Sequence, residues 1–247
     1  MYGFYVHLKA DFASFRDPGG QLYHSCLPLP PFSTLVGLAG AALGKNFKEV
    51  LQFFKENNIK TGAAGMHWGK GIDLWNYSKI KSGNKIEKDI VNREFLTFIS
   101  LWVFYANEDK SVLEQLQEAF QNPVFCLTIG TSDDLVKILE VSPCFMIEKL
   151  NSSQFSTGMG LEGFVLFPGD IEDNYRLDWD EIKQSRLDVI LSTPVVKKLP
   201  VDYSFDGEVR KGERYEVFSF LPGWVNLKEE TEVYCFEKFK IPLFSLA

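Results

Sequence analysis

The segment Leu27-Pro28-Leu29-Pro30-Pro31-Phe32-Ser33-Thr34-Leu35-Val36-Gly37-Leu38-Ala39-Gly40-Ala41-Ala42-Leu43-Gly44 constrains the fold of this chain more than any other. Each proline fixes φ and disfavours helix in the residue before it, so the chain enters extended. Ser33 or Thr34 is then expected to cap a helix, its side-chain oxygen accepting an orphan amide proton. Gly37, Gly40, Ala41 and Gly44 give that helix little bulk. Glycine costs a helix interior up to about 1 kcal/mol against alanine, so their presence implies close approach of a sheet, a partner or a ligand. The apolar stretch falls well short of the about 20 residues that span a bilayer.

The remaining order reads as strands and helices in alternation. Residues 2–10 alternate apolar and polar as a strand. The helix from about Ser33 breaks at Gly44 and resumes at Phe47–Phe54, with Asn57-Asn58 ending it. Trp75–Lys81 and Lys85–Val91, joined by Ser82-Gly83-Asn84, carry a hairpin signal with arms too polar for a core. Phe98–Tyr105 reads as a strand apolar on both faces, under cover. Asn107 or Asp109 caps a helix over Val112–Phe120 that Asn122-Pro123 stops, and Val124–Ile129 reads as the next strand. Strand, helix, strand, strand, helix, strand is the ferredoxin-like (RRM-like) order. Further strands are expected near 144–149, 163–167, 195–205, 214–220 and 232–237, with turns at Asp206-Gly207 and Lys211-Gly212.

The fold class expected is therefore α+β. Residues 1–130 form the ferredoxin-like domain, with a protruding hairpin over about 68–94. Residues 131–247 form a β-rich part packed on it. With 45% hydrophobic residues and 22 phenylalanines among 247 residues, a large core is available and disorder is excluded. Met1–His7 lacks the basic start of a signal peptide, which leads us to expect a cytoplasmic protein. The four cysteines (Cys26, Cys126, Cys144, Cys235) form no C-x-x-C pair, arguing against zinc or redox chemistry.

The net charge of −7 hides an uneven distribution. Residues 1–93 hold 12 Lys or Arg against 7 Asp or Glu, residues 94–181 hold 4 against 16, and the remainder balances. Phosphate binding needs only a local basic groove, and the N-terminal part can supply one. Arg16 stands out, following Phe15 near the N-terminus of the glycine-rich helix, with pairing to Asp17 or Asp11 as the bland alternative. Lys79, Lys81, Lys85 and Lys88, with Arg93 at the hairpin base, can track a nucleic-acid backbone or merely keep an exposed hairpin soluble. His24 lies in the polar loop before the prolines and can face RNA, whereas His7 and His67 suit core or hydrogen-bonded roles.

Two other patterns invite chemistry that their context does not support. Gly158-Met159-Gly160-Leu161-Glu162-Gly163 matches G-x-G-x-x-G, but a strand rather than a helix follows it, unlike a dinucleotide site. Asp133-Asp134 and Glu172-Asp173 are sequence neighbours that do not converge on one ion. No cofactor or metal is expected.

A first strand, then Ser14-Phe15-Arg16, then the proline-rich turn into Ser33–Gly44 resembles the CRISPR-associated protein 5 family of the RAMP superfamily. Asn92-Arg93-Glu94-Phe95-Leu96 and Asn122–Gly130 continue the likeness, which covers roughly the first 140 residues. The resemblance implies a ferredoxin-like fold whose hairpin is the family's thumb. It further implies a non-catalytic subunit of a type I Cascade complex that holds the 5′ handle of CRISPR RNA beside backbone and large subunits. RNA contacts would come from Phe15, Arg16, His24, Ser33, Thr34, Lys79, Lys81, Lys85 and Arg93, with no membrane and no small-molecule substrate. Type I-C relatives cut precursor RNA with a tyrosine and an adjacent Lys-His pair. No Lys-His dipeptide occurs here, which favours a type I-A or I-B-like subunit. The alternatives are a metal-independent endoribonuclease using His24 with Tyr23 or a nearby lysine, and an assembly module without RNA contact.

Overall fold

A computed structural model describes residues 1–20, 23–81, 85–184, 192–207 and 209–246. The first half runs β1 (Tyr2–Ala13), β2 (Tyr23–His24), α1 (Phe32–Leu43), α2 (Phe47–Asn57), β3 (Lys60–Met66), β4 (Gly69–Lys81), β5 (Lys85–Asn107) and α3 (Lys110–Gln121). There follow β6 (Lys137–Val141), β7 (Phe145–Met146), β8 (Glu148–Ser152), β9 (Phe164–Pro168), β10 (Tyr175–Leu177) and α4 (Trp179–Gln184). The chain ends with β11 (Val195–Asp206), β12 (Val209–Pro222), β13 (Val225–Leu227), β14 (Thr231–Phe236) and β15 (Phe239–Ile241).

One antiparallel path runs β11-β12-β9-β3-β5-β1-β6 through the main sheet. Its centre places β5 between β1 and β3, and β6 on the far side of β1. Strands from beyond residue 130 extend this same sheet, because β9 pairs with β3. The sheet is covered on both faces. Phe4, Val6, Leu8, Leu101, Val103 and Tyr105 point towards α1, α2 and α3, and the Tyr105 hydroxyl donates to the Leu35 carbonyl at 2.9 Å. Tyr5, Phe104 and Ala106 point the other way, onto Phe236, Phe239 and Ile241 of β14 and β15. Double cover explains why β5 is apolar on both sides from Leu101 to Ala106.

The hairpin is a continuation of the central strand. β4 pairs with β5 from Gly69↔Thr97 out to Lys81↔Lys85, so β5 serves as hairpin arm and core strand in turn. The expected turn at Ser82-Gly83-Asn84 lies outside the described residues. Where β5 changes partner from β4 to β3, Phe98 takes a positive φ of 50° and is 56% exposed. The register against β1 is unbroken across this point, so the positive φ is a local change of backbone, and cover on both faces begins only after it.

The helices end for local reasons. Asn46 and Glu49 close a reciprocal capping box on α2, and Asn58 ends that helix in the left-handed conformation. Asp109 caps α3 by accepting from the Ser111 N–H at 2.8 Å. Gly44, at φ 71°, terminates α1.

Three sequence expectations are corrected. Neither Ser33 nor Thr34 caps α1: the helix starts at Phe32, Pro31 occupies the cap position, and its carbonyl takes the Thr34 and Leu35 N–H groups. Val124–Ile129 is no strand. Val124 and Phe125 instead donate to the Ala42 and Ala41 carbonyls at 3.0 and 3.2 Å, satisfying the end of α1, and the strand after α3 is β6. Lys211-Gly212 is no turn either. Gly212 sits inside β12 opposite Tyr203, where a Cβ would lie 2.6 Å from the Tyr215 hydroxyl. The β11–β12 reversal is at Asp206-Gly207, as expected, with Asp206 paired to Val209.

Candidate nucleic-acid interface

The loop between β1 and α1 is folded back on itself. Phe15 and Cys26 face each other: the Leu27 N–H donates to the Phe15 carbonyl at 2.8 Å, and the Phe15 N–H to the Cys26 Sγ at 3.1 Å. Burial pushes the Cys26 thiol up to about 12, so it stays protonated. Phe15 itself is 2% exposed within the core. A fully packed ring has no face on which a base could stack. Its role is to seat the loop.

Beyond this seat the loop lies along the hairpin base, where β2 pairs in parallel with Asn92 and Arg93 of β5. Glu94 is the anchor. It accepts from the Tyr23 hydroxyl at 2.8 Å and the Cys26 N–H at 2.9 Å, with the Lys70 ammonium 3.7 Å away. Burial alone would raise its carboxyl, but the Cys26 N–H, Tyr23 and Lys70 outweigh it and hold Glu94 below its usual range. The Tyr23 hydroxyl is correspondingly raised, first by its bond to Glu94.

Asp17 anchors the other side. It is buried and accepts from the Gly19 N–H at 2.9 Å and from Lys197 of β11 at 2.7 Å. Here too burial raises the carboxyl, and Lys197 with the Gly19 N–H overrides it to leave a lowered value. Because Asp17 is committed to Lys197, the expected alternative pairing of Arg16 with Asp17 does not form. Arg16 is exposed, and no ion pair engages it among the described residues.

Arg93 is placed differently. Its guanidinium donates to both Asp73 oxygens, Nε at 3.1 Å and Nη2 at 2.6 Å, and lies 5.4 Å from the Trp75 ring. His24 packs edge-on to the same ring at 5.9 Å. Partial burial, then Arg16 and Arg93, lower the His24 imidazole, so it is neutral at pH 7. His24, Trp75 and Arg93 thus form one small cluster at the hairpin base. The side chains of Lys79, Lys81 and Lys85 lie outside the described residues. On the opposite face of the hairpin, Ile72, Leu74, Ile86 and Ile90 are exposed.

Ser33 and Thr34, freed from capping, line a cleft of about 280 Å³ with Gly37, Leu38, Ala41, Phe47, Thr128, Gly130 and Arg210. Arg210, on β12, is the one residue here with obvious binding chemistry that the sequence reading did not single out. A second, more apolar opening of about 460 Å³ lies on the other face of the sheet, beside Trp68 and Phe98.

The remaining histidines are structural. His7 stacks on Trp102 at 3.9 Å, shares a 2.9 Å hydrogen bond with Ser100, and is lowered chiefly by burial. His67 stacks on Phe164, and burial lowers it to about 4. The Gly158–Gly163 loop enters β9 through a short 3-10 turn, and a Cβ at Gly223 would lie 2.1 Å from the Gly160 carbonyl oxygen. Close backbone approach accounts for glycine at 223, and positive φ at Gly158 (70°) and Gly160 (60°) for glycine in the loop. Among the described residues no group of three or more His, Cys, Asp or Glu is placed to hold a metal, and no helix is long and apolar enough to cross a membrane.

The family model described as CRISPR-associated protein (Cas_Cas5) matches residues 4–186. The chain belongs to this family. Among solved structures, one titled "Crystal structure of a CRISPR protein from Archaeoglobus fulgidus" aligns over 99% of this chain and 100% of its own, at 12% identity and a TM-score of 0.55. A component of a "CRISPR RNA-guided surveillance complex" aligns over 94% of this chain and 91% of its own, at 14% identity and a TM-score of 0.54. These two establish a shared fold. A third, "Crystal structure of Cas protein", covers 53% of this chain and 57% of its own at 21% identity and a TM-score of 0.36. No curated protein sequence matches the chain.

Proposed function

We propose that this CRISPR-associated protein is a non-catalytic RNA-binding subunit of a type I surveillance complex, of the I-A or I-B kind. It grips the 5′ handle of CRISPR RNA and caps the backbone of the complex in the cytoplasm. The observation that carries this reading is the exposed loop at the hairpin base, where Arg16, engaged by no ion pair among the described residues, acts on the neutral His24, and His24 in turn packs on the exposed Trp75 ring. An uncommitted cation and an accessible aromatic ring on one surface are the combination that holds single-stranded nucleic acid. The central order β3-β5-β1-β6 with α1 and α3 on one face supports a ferredoxin-like unit for the N-terminal part. The exposed Ile72, Leu74, Ile86 and Ile90 support docking of the hairpin onto a neighbouring backbone subunit. Lys79, Lys81 and Lys85 would clamp the strand from the hairpin's far end.

The non-catalytic part of the proposal rests on the state of Tyr23. A hydroxyl donating to Glu94 and raised in pKa is a poor general base. The test is to purify the tagged chain from its host and sequence the 5′ ends of the RNA that accompanies it. One uniform repeat-derived end is expected, and heterogeneous RNA or none contradicts the proposal. Precursor RNA incubated with the purified chain in excess EDTA is expected to stay intact; cleavage abolished by His24→Ala would establish the nuclease alternative. If about five phosphates are held, affinity falls with salt at a log-log slope near −3.5.

A further inference from the structure

Gly40 and Gly44 are accounted for by packing: a Cβ at Gly40 would lie 2.8 Å from Val50, and one at Gly44 2.9 Å from Val124. Gly37 is not. A Cβ at Gly37 would meet nothing within 4 Å, and its helical position needs no positive φ. Glycine is among the poorest residues for a helix interior, so an unfilled space at this one residue has no explanation in the fold. The space is the cleft shared with Ser33, Thr34, Thr128, Gly130 and Arg210.

Arg210 is held there in an unusual way. Its guanidinium sits 4.4 Å from the Phe47 ring centroid and 4.8 Å from that of Tyr203. Aromatic contact satisfies the cation through its faces and leaves the N–H donors on its edges unused. No carboxylate pairs with Arg210 among the described residues, and none lines the cleft. In a chain of net charge −7, a cleft with one arginine resting on two rings, several hydroxyls and no acid in its lining suits an anion. The planar fork of arginine together with Ser and Thr hydroxyls is the donor set that meets phosphate oxygens. Its volume, about 280 Å³, is just below the range of ordinary ligand pockets and suits a group as small as a phosphate. Filling the cleft at Gly37 would exclude it.

We propose that this cleft seats one phosphodiester group of the bound RNA, with Arg210 as its principal donor and Gly37 as the opening that admits it. The proposal rests on the RNA-binding reading above and extends the binding surface from the hairpin base to the β11–β12 hairpin.

The test measures affinity of the full chain for single-stranded RNA of its host's CRISPR repeat, as a function of salt. Arg210→Ala is expected to weaken binding about tenfold and to reduce the steepness of the salt dependence by about 0.7. Arg210→Lys keeps the charge without the fork and is expected to recover part of the affinity and all of the slope. Gly37→Leu is expected to weaken binding about tenfold without lowering the unfolding midpoint. Arg176→Ala, a surface arginine on β10, should change affinity less than twofold. Unmodified affinity in both Arg210→Ala and Gly37→Leu would overturn the cleft assignment while leaving the RNA-binding reading in place. Failure of the unmodified chain to bind the RNA at low salt would overturn both.

Discussion

At the hairpin base most cations are already engaged, whereas on the α1 face one is held ready. Arg93 is tied to Asp73, Lys70 to Glu94 and Lys197 to Asp17. The first braces the two hairpin arms, the other two hold the loop between β1 and α1 through Glu94 and Asp17, and among the described residues Arg16 projects from that loop without a carboxylate. Arg210 has two aromatic rings and, among the described residues, no acid. The lesson is that the positive balance of residues 1–93 does not locate a phosphate site. Pairing does: a bidentate, half-buried arginine is a brace, and an arginine presented by rings alone is a donor awaiting an acceptor.

The sharpest way to break this contrast is to remove cations of each kind. Arg16→Ala combined with Arg210→Ala should weaken RNA binding on the order of a hundredfold, because each loses a charge-assisted contact of about 1.5–3 kcal/mol. Arg93→Ala should cost less than threefold in affinity while lowering the unfolding free energy by about 1 kcal/mol. Titrations by fluorescence anisotropy with urea melts in parallel distinguish the two, and a reversed pattern would show that the brace and the donor have been exchanged.

Glu94 carries the next largest effect. Replacing it by alanine strands the Cys26 N–H and the Tyr23 hydroxyl, and urea melts should show a loss of about 2–3 kcal/mol. A loss below 0.5 kcal/mol would mean the loop is held by its own ladder alone. Acidification tests the same anchors together with His67. Glu94, Asp17 and Asp73 have lowered folded values, so their contribution is present above the usual carboxylate range and lost as pH falls below it. His67 is lowered from 6.5 to about 4. An unfolded chain therefore takes up its proton first, and stability falls as pH drops from 6.5 towards 4, by about 3 kcal/mol in all and by about 2 kcal/mol between pH 7 and pH 5. His67→Phe, which keeps a ring on Phe164, should flatten that limb, as urea melts at pH 7 and pH 5 would reveal.

The smallest effect separates two glycines on one helix. Gly37→Ala should raise stability by up to about 1 kcal/mol, since its Cβ enters open space. Gly40→Ala should lower it by about 1–3 kcal/mol, since its Cβ collides with Val50. Equal effects at the two positions would remove the argument for a functional void.

Elements carried by local signals were legible in the sequence. The hairpin arms, the break at Gly44, the α2 end at Asn57-Asn58 and the Asp109 cap all follow from neighbouring residues. Expectations failed where a distant group competed. Pro31 took the cap position from Ser33 and Thr34, and the free carbonyls of α1 drew Val124 and Phe125 away from strand pairing. Phe15 looked like a loop aromatic, yet it packs into the core under α1. Arg210 carried no local signature at all. Its meaning depends on Phe47 from α2 and Tyr203 from β11 meeting around it, which only the folded sheet brings about. The pairing of Asp17 with Lys197, which leaves Arg16 unpaired, is equally non-local.

Ultraviolet cross-linking of the full chain to repeat RNA, with mass-spectrometric mapping of the linked peptides, tests the central claim most directly. The account predicts adducts on the loop of residues 15–31, on the first turns of α1 from Ser33 to Gly37, at Thr128–Gly130 and around Arg210. Adducts confined to other surfaces, with those four segments unmodified, would contradict it.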